Sequence, residues 1–290
     1  MPRVSIGMPV YNGERYLRFS LESLLGQSFG DFELVISDNA STDGTQDICR
    51  GYEARDRRVR YTRTDSNIGG PANFRRVFRL CTGEYHKWST ADDYWDLTTI
   101  EKCVAVLDRH PDVALVYPKS LLEDADGNLL QRYDDHLHLM EDSAVQRFKK
   151  VVETATLCHA HLGVLRRSAM EQTALIGNEV ASDLRFLAEM SLYGKFYVVP
   201  EYLFHRRFHE ASSSWDRQSS DWQRQYYDPS HRSLFGLHTW RRYFNLGLAV
   251  VRAPLPGAEK WSLLHYVARK ARWQRRKLWA ELKSLGHIRT

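Results

Sequence analysis

The chain reads as an α/β fold: a mostly parallel sheet flanked by helices, with a helical C-terminal extension. Three observations carry that reading. Short apolar runs alternate with stretches of helical periodicity through residues 1–117, the connections between them are short, and the sequence from Asp221 onward is aromatic, basic and mostly helical in pattern. Regular alternation makes each helix a crossover between neighbouring parallel strands.

The elements can be taken in order. Val4–Val10 is a short apolar strand, and Glu14–Leu25 repeats Leu17, Leu21 and Leu24 at helical spacing. Phe32–Ile36 is a second buried strand, after which Ser41 or Thr42 can cap a helix ending near Arg55. Val59–Arg63 is a third strand, Pro71–Leu80 a helix introduced by Gly69-Gly70, Glu84–Ser89 a fourth strand, and Leu97–Arg109 the next helix. The second half is less regular. Asp124-Ala125-Asp126-Gly127-Asn128 has hairpin-turn composition, Ser182–Tyr193 is helical, and Phe196–Val199 and Glu201–Phe208 form two further strands.

Composition narrows the function classes. With 43% hydrophobic and 27% charged residues, the chain has the means for a sizeable core. Cys49, Cys81, Cys103 and Cys158 are scattered without a Cys-x-x-Cys spacing, which suits reduced thiols and a cytoplasmic protein. The start reads straight into a strand with no leader, and no run is long enough to span a membrane. Residues 257–290 hold nine Lys/Arg and two Asp/Glu, a net of +7, which leaves the body of this +5 chain near −2. A body of that charge argues against nucleic acid as a partner. On a helix, Leu264, Val267, Ala271, Leu278, Leu282 and Leu285 share one face. Arg269, Arg272, Arg276 and Lys283 share another, with Trp261, Tyr266, Trp273 and Trp279 near them. Such a segment suits peripheral contact with an anionic membrane, or packing on its own domain with a solvated basic face.

The residues that carry chemistry stand after the strands. Asp38 follows the second strand and Asp92-Asp93 the fourth. Ligands of open α/β sheets bind beyond the carboxyl ends of strands. Carboxylates there suit hydrogen bonding to a base or ribose, or holding a divalent cation against phosphates. Pro9 and Tyr11 lie beyond the first strand, where an aromatic face and backbone groups can hold a base. Asn67, Gly69, Gly70 and Asn73 form a loop of small residues that allows close approach. Arg75 and Arg76 read as solvated helix residues, and Asp43 as a first-turn helix residue. His159 and His161, at i and i+2 of an expected strand, would point the same way, the arrangement of a metal pair.

Five segments in series resemble the family-2 glycosyltransferases. They are Val4–Leu17, Leu24-Leu25-Gly26-Gln27-Ser28-Phe29, Ser37–Asp43, Asn67-Ile68-Gly69, and Gly83-Glu84-Tyr85 leading to Asp92-Asp93. The resemblance implies a GT-A fold, a nucleotide-sugar donor that is UDP-linked, Mn²⁺ or Mg²⁺, and inversion at the anomeric carbon. It also implies that Glu14 approaches the ribose or base and that Asp38 accepts the N3–H of uracil. Asp92 and Asp93 occupy the place of an Asp-x-Asp metal motif whose usual first aspartate is Thr90 here, leaving open which of the two meets the ion. Asn178–Phe186 resembles the segment bearing the general base, with Asp183 as first choice and Glu179 as second. Pro200–His209 resembles the closing segment, where Arg206 or Arg207 would meet phosphate and His209 would meet metal or phosphate.

The organisation expected is a nucleotide-sugar-binding half over 1–117, an acceptor-binding and catalytic half of the same domain over 118–215, and the basic extension over 216–290. The acceptor expected is a saccharide or lipid-linked sugar, and oligomeric state is left open. Two other readings compete: a nucleotidyltransferase that makes nucleotide-sugars, and a non-catalytic saccharide-binding protein of the same fold. The first would need a basic, glycine-rich loop where Pro9–Arg15 stands; the second would not need Asp38, Asp92 and Asp93.

Overall fold

The structure is a computed structural model that describes residues 1–210, Tyr226, Tyr227, Pro229 and residues 237–286, with side chains to residue 283. The rest of the stretch from Asp221 to residue 236 lies outside the described residues, and so does the side chain of Leu285.

The first half alternates as its periodicity predicts: β1 Val4–Val10, α1 Glu14–Leu25, β2 Phe32–Asp38, α2 Thr45–Glu53, β3 Val59–Arg63, α3 Gly70–Leu80 and β4 Tyr85–Trp88. β3, β2, β1 and β4 lie side by side, all parallel. Val4, Ile6 and Met8 of β1 and Leu34, Val35 and Ile36 of β2 are fully buried, as expected of strands covered by helices on both faces. Leu17, Leu21 and Leu24 are the buried stripe of α1.

Beyond β4 the sheet becomes mixed. β5 Tyr94–Trp95, α4 Thr99–Arg109, β6 Val113–Glu123 and β7 Leu129–Tyr133 come next. They are followed by α5 Ala144–Thr154, a 3₁₀ turn His159–Leu162, β8 Val164–Arg166, α6 Arg167–Met170, α7 Ser182–Met190 and β9 Lys195–Arg207. β8 joins β4 to β6 with antiparallel pairing on both sides, β9 runs parallel to β6, and β5 closes the edge antiparallel to β9. The Asp124–Asn128 turn joins β6 to β7 as expected, with Gly127 at φ +89°. β6 crosses residue 117, so the sheet is continuous over the boundary read between the two halves.

Two expectations change. Phe196–Val199 and Glu201–Phe208 are one strand, β9, whose ladder shifts register beside Pro118 and Pro200. Each proline lacks an N–H to give to the ladder, so the strand is bent there instead of ended. His159 and His161 sit in the 3₁₀ turn instead of a strand, so i, i+2 no longer share a face.

The extension is α8 His238–Arg252, α9 Gly257–Trp273 and α10 Arg275–Gly286. Leu263, Tyr266 and Val267 of α9 are buried, and Tyr266 donates its hydroxyl hydrogen to Glu153 of α5 at 3.0 Å. Glu281 of α10 accepts from the backbone N–H of Thr239 at the start of α8, at 3.0 Å. Val267 and Leu278 of the stripe read from sequence therefore face the protein.

Candidate active site

β1 and β4 end together, and beyond them opens a cavity of about 620 Å³. Pro9 near the end of β1 and Tyr11 beyond it, Asn67, Gly70 and Asn73 before and along α3, and Thr90 and Asp92 after β4 line it. His161, Asp183, Arg206 and His209 line it from the second half. Residues expected at the site from both ends of the sequence thus meet in one space.

The acidic pair is split by its surroundings. Tyr94, just after it, pairs with His205 of β9, so Asp93 faces the end of β9. There its carboxylate accepts from Arg206 Nη1 at 2.6 Å, from the Arg207 backbone N–H at 3.0 Å and from Thr90 Oγ1 at 2.5 Å. Asp93 is fully buried; burial and the neighbouring Asp92 charge push its pKa up to about 6, against the pull of Arg206. Asp92 turns to the cavity with its side chain 21% exposed, 3.1 Å from His209 Nε2 and 3.9 Å from Arg206 Nη1. Burial would raise the Asp92 pKa, but the His209 hydrogen bond and the Arg206 charge outweigh it and hold the carboxyl below the usual range. Asp93, expected as a metal ligand, is instead the anchor of the turn. Thr90 is the third side of that anchor, in place of the aspartate missing from the motif.

Arg206 keeps its charge: burial opposes it, and Asp93 and Asp92 more than compensate. Arg207 lies in an aromatic cage, 4.6 Å from the Tyr16 ring centre, 5.0 Å from Phe19 and 5.5 Å from Tyr94. It does not line the cavity, which leaves Arg206 as the arginine of this pair that does.

On the donor side, two expectations are corrected. Asp38 is fully buried behind the wall: Oδ1 accepts from the Ser41 N–H at 2.8 Å, and Oδ2 from Tyr61 at 2.6 Å and Arg63 at 3.1 Å. A strand sends successive side chains to opposite faces, and it is Asn39, one residue on, that lines the cavity. Asn39 donates to Asn67 Oδ1 at 2.8 Å and accepts from the Ile68 N–H at 2.8 Å, tying the two loops. Sequence reading placed the charged residue at the cavity instead of Asn39, although strand alternation was the signal that could have told them apart. Glu14 is exposed and accepts from the Gly44 N–H at 2.8 Å, while Asp43 accepts from the Glu14 N–H at 3.1 Å. These reciprocal bonds cap α1 and α2 and take Glu14 away from the cavity lining.

Gly69 has φ +86°, a conformation that L side chains rarely adopt, and a Cβ on Gly70 would stand 2.5 Å from the Tyr226 ring. The two glycines thus allow Tyr226, which also lines the cavity, to close over α3. Arg75 and Arg76 are half-buried and engaged with the protein instead of pointing freely into solvent. Arg75 donates to the Ile176 carbonyl at 2.5 Å and to Asn178 at 3.0 Å, and Arg76 to Ser37 and to Thr62 at 2.6 Å.

On the opposite half, Asp183 stands in the first turn of α7, after Ala181 in the left-handed region at φ 61°. Glu179, the second candidate base, is removed from the cavity: its Oε1 accepts from Arg185 at 2.7 Å and Asn245 at 3.0 Å within a buried network. His159 is hydrogen-bonded to Ser120 at 2.9 Å and His161 Nδ1 donates to the Cys158 carbonyl at 2.6 Å, so the two do not form a metal pair. Among the described residues, no cluster of three or more His, Cys, Asp or Glu could hold a metal ion.

Comparison with known proteins gives the family and the fold. The sequence pattern described as "Glycosyl transferase family 2" matches residues 5–173, more than half of the chain. Chondroitin synthase of Escherichia coli is 27% identical over 218 residues, covering 74% of this chain and 30% of that protein. The chain therefore spans under a third of that relative. Among solved structures, Staphylococcus aureus TarS 1–349 in complex with UDP superimposes with a TM-score of 0.65 at 17% identity, over 92% of this chain and 70% of that one. The mannosyltransferase PcManGT from Pyrobaculum calidifontis, in complex with GDP-Man and Mn²⁺, gives 0.57 at 17% identity, over 99% and 75%. The chain belongs to glycosyl transferase family 2, and its sheet and flanking helices are those of a GT-A glycosyltransferase.

Proposed function

We propose that this chain moves a sugar from a UDP-linked donor to a hydroxyl of a saccharide or lipid-linked acceptor, with inversion at the anomeric carbon. The observation that carries the reading is that Asp92, from the first half of the sequence, and Asp183 and His209, from the second, line one cavity beyond the strand ends. UDP in complex with TarS, and GDP-Man and Mn²⁺ in complex with PcManGT, support it by likeness.

Asp92 and His209 fit a divalent cation: one ionised, partly open carboxylate oxygen stands 3.1 Å from one imidazole nitrogen. Two protein donors are too few for Mn²⁺ or Mg²⁺ alone, so donor phosphate oxygens and water would complete the shell. When bound, the ion would neutralise charge on the diphosphate.

The remaining roles fall to the chain itself. Pro9 and Tyr11 hold the nucleoside beside the Asn39–Asn67 tie, and Arg206, kept charged by its two aspartates, faces the phosphates. The acceptor oxygen attacks the anomeric carbon as the bond from that carbon to the phosphate oxygen breaks. The electron pair leaves with UDP, and Asp183 takes the proton of the acceptor hydroxyl.

The test is nucleotide release from a panel of nucleotide-sugars, with an acceptor pool and with Mn²⁺ or EDTA. We expect Mn²⁺-dependent, acceptor-dependent release of UDP from at least one donor. Loss of the general base in Asp183→Asn should lower turnover about 10²- to 10⁴-fold. No release from any donor would overturn the proposal, as would full turnover by Asp183→Asn.

A further inference from the structure

The C-terminal helices carry two faces, and only one of them is used by the fold. Leu263, Tyr266, Val267 and Leu278 are buried against the rest of the protein. Turned outward are Trp240, Phe244 and Val251 of α8, whose spacing of four and seven residues places them on one stripe, together with Trp261 and Trp273 of α9 and Trp279 of α10. Trp261, Trp273 and Trp279 are 74%, 63% and 64% exposed. Of the aliphatic stripe read from sequence, Val267 and Leu278 are buried while Leu282 stays exposed beside the indoles.

The charge around them is of one sign. Residues 237–283 hold eleven Lys/Arg and two Asp/Glu, and Glu281 is engaged at the head of α8. Arg269, Arg272, Arg275, Arg276 and Lys277 are exposed. Arg269 and Lys270 lie 5.7 and 5.4 Å from the Trp273 ring centre, so basic groups and indole share one patch. Indoles prefer the level of lipid headgroups, and clustered arginines and lysines are drawn to anionic ones. A second copy of the chain would bring like charges together. No helix among the described residues is long and apolar enough to cross a membrane, so contact would lie in the surface plane.

We propose that the outward face of α8–α10 docks this protein on an anionic lipid bilayer, with Trp261, Trp273 and Trp279 entering the headgroup layer and the arginines of α9 and α10 meeting lipid phosphates. This surface is separate from the cavity and would hold the enzyme beside membrane-borne acceptors.

The experiment is flotation of the full chain with phosphatidylcholine vesicles, with and without phosphatidylglycerol, and with tryptophan fluorescence read in parallel. The wild type should float with the anionic vesicles only, with a blue-shifted emission, and be released by high salt. The triple variant Trp261→Ala/Trp273→Ala/Trp279→Ala should lose about tenfold or more in partitioning, and so should Arg269→Glu/Arg272→Glu/Arg276→Glu. Turnover with a soluble acceptor should be unchanged in both, which also shows that they are folded. Wild type that stays unbound, with no spectral shift, would overturn the proposal. So would equal binding to neutral vesicles, or a vesicle-independent dimer that the tryptophan variant turns into monomer.

Discussion

Replacing Asp93 with alanine should unfold this protein more readily, while replacing Asp92 should silence it. Asp93 is fully buried and gives Arg206 its closest counter-charge at 2.6 Å; with it gone, the nearest carboxylate is Asp92 at 3.9 Å. Removing one partner of a buried ion pair costs about 3–5 kcal/mol, because the other charge is left uncompensated. The remaining Asp92 charge places the loss near the lower end, about 3 kcal/mol. At roughly 2–4 °C per kcal/mol for a chain of this size, Asp93→Ala should melt about 6–12 °C below wild type. Asp92→Ala removes the bond to His209 and a longer 3.9 Å contact with Arg206, which keeps Asp93, and the Asp92 side chain is partly exposed, so the loss should be about 1 kcal/mol. Its effect should fall on Mn²⁺-dependent nucleotide release. Melting is followed by calorimetry at pH 8, above the raised pKa of Asp93, with release assayed on the same samples and Asp93→Asn as the isosteric control. Equal melting losses in the two alanine variants would refute the split. So would metal-dependent release that survives in Asp92→Ala but vanishes in a well-folded Asp93→Asn.

Other expected outcomes follow from the same geometry. Asp38→Asn should destabilise the fold by about 1–3 kcal/mol, through the bonds that the buried carboxylate accepts from Ser41 and Tyr61, with little change in the KM for donor. Tyr11→Ala, at an exposed side chain that lines the cavity, should raise that KM severalfold in a stable protein, and donor-titration kinetics beside urea melts separate the two. Glu179→Gln should cost stability and keep turnover, the reverse of Asp183→Asn; a Glu179→Gln that is stable but inactive would restore Glu179 as the base. His86 is fully buried, both its ring nitrogens lack a hydrogen-bond partner, and burial pushes its pKa down to about 3. A folded pKa below the unfolded value of about 6.5 gives stability that is complete above pH 6.5 and lost as pH falls toward 3. Between pH 6.5 and 4.5 the histidine should cost the wild type about 2–3 kcal/mol that His86→Leu does not lose. Parallel urea curves for the two proteins over that range would rule this out.

The first half of the fold was legible because its information is local. Leu17, Leu21 and Leu24 repeat at helical spacing, and the strands between helices are uninterrupted apolar runs, so burial follows from the chain's own periodicity. The second half was harder: β8 has three residues, β5 two, and β9 is kinked at a proline, so each is held by its neighbours across the sheet more than by its own pattern. The aliphatic stripe of the tail was visible too, but which way it faced depended on α5, α7 and α8.

The site divides along the same line. The strand ends and loops legible in the sequence picked out Pro9, Tyr11, Asn67 and Asp92, the family resemblance added Asp183, Arg206 and His209, and all seven line one cavity. Only the tertiary structure decided which carboxylates are open and which are spent. Asp93 is closed by Arg206, 113 residues away in sequence, Asp38 by Tyr61 and Arg63 of the neighbouring strand, and Glu179 by Arg185 and Asn245. An aspartate in a motif carries the same charge wherever its partners are. Whether that charge is offered to a ligand or used to hold the fold depends on what a distant segment packs against it.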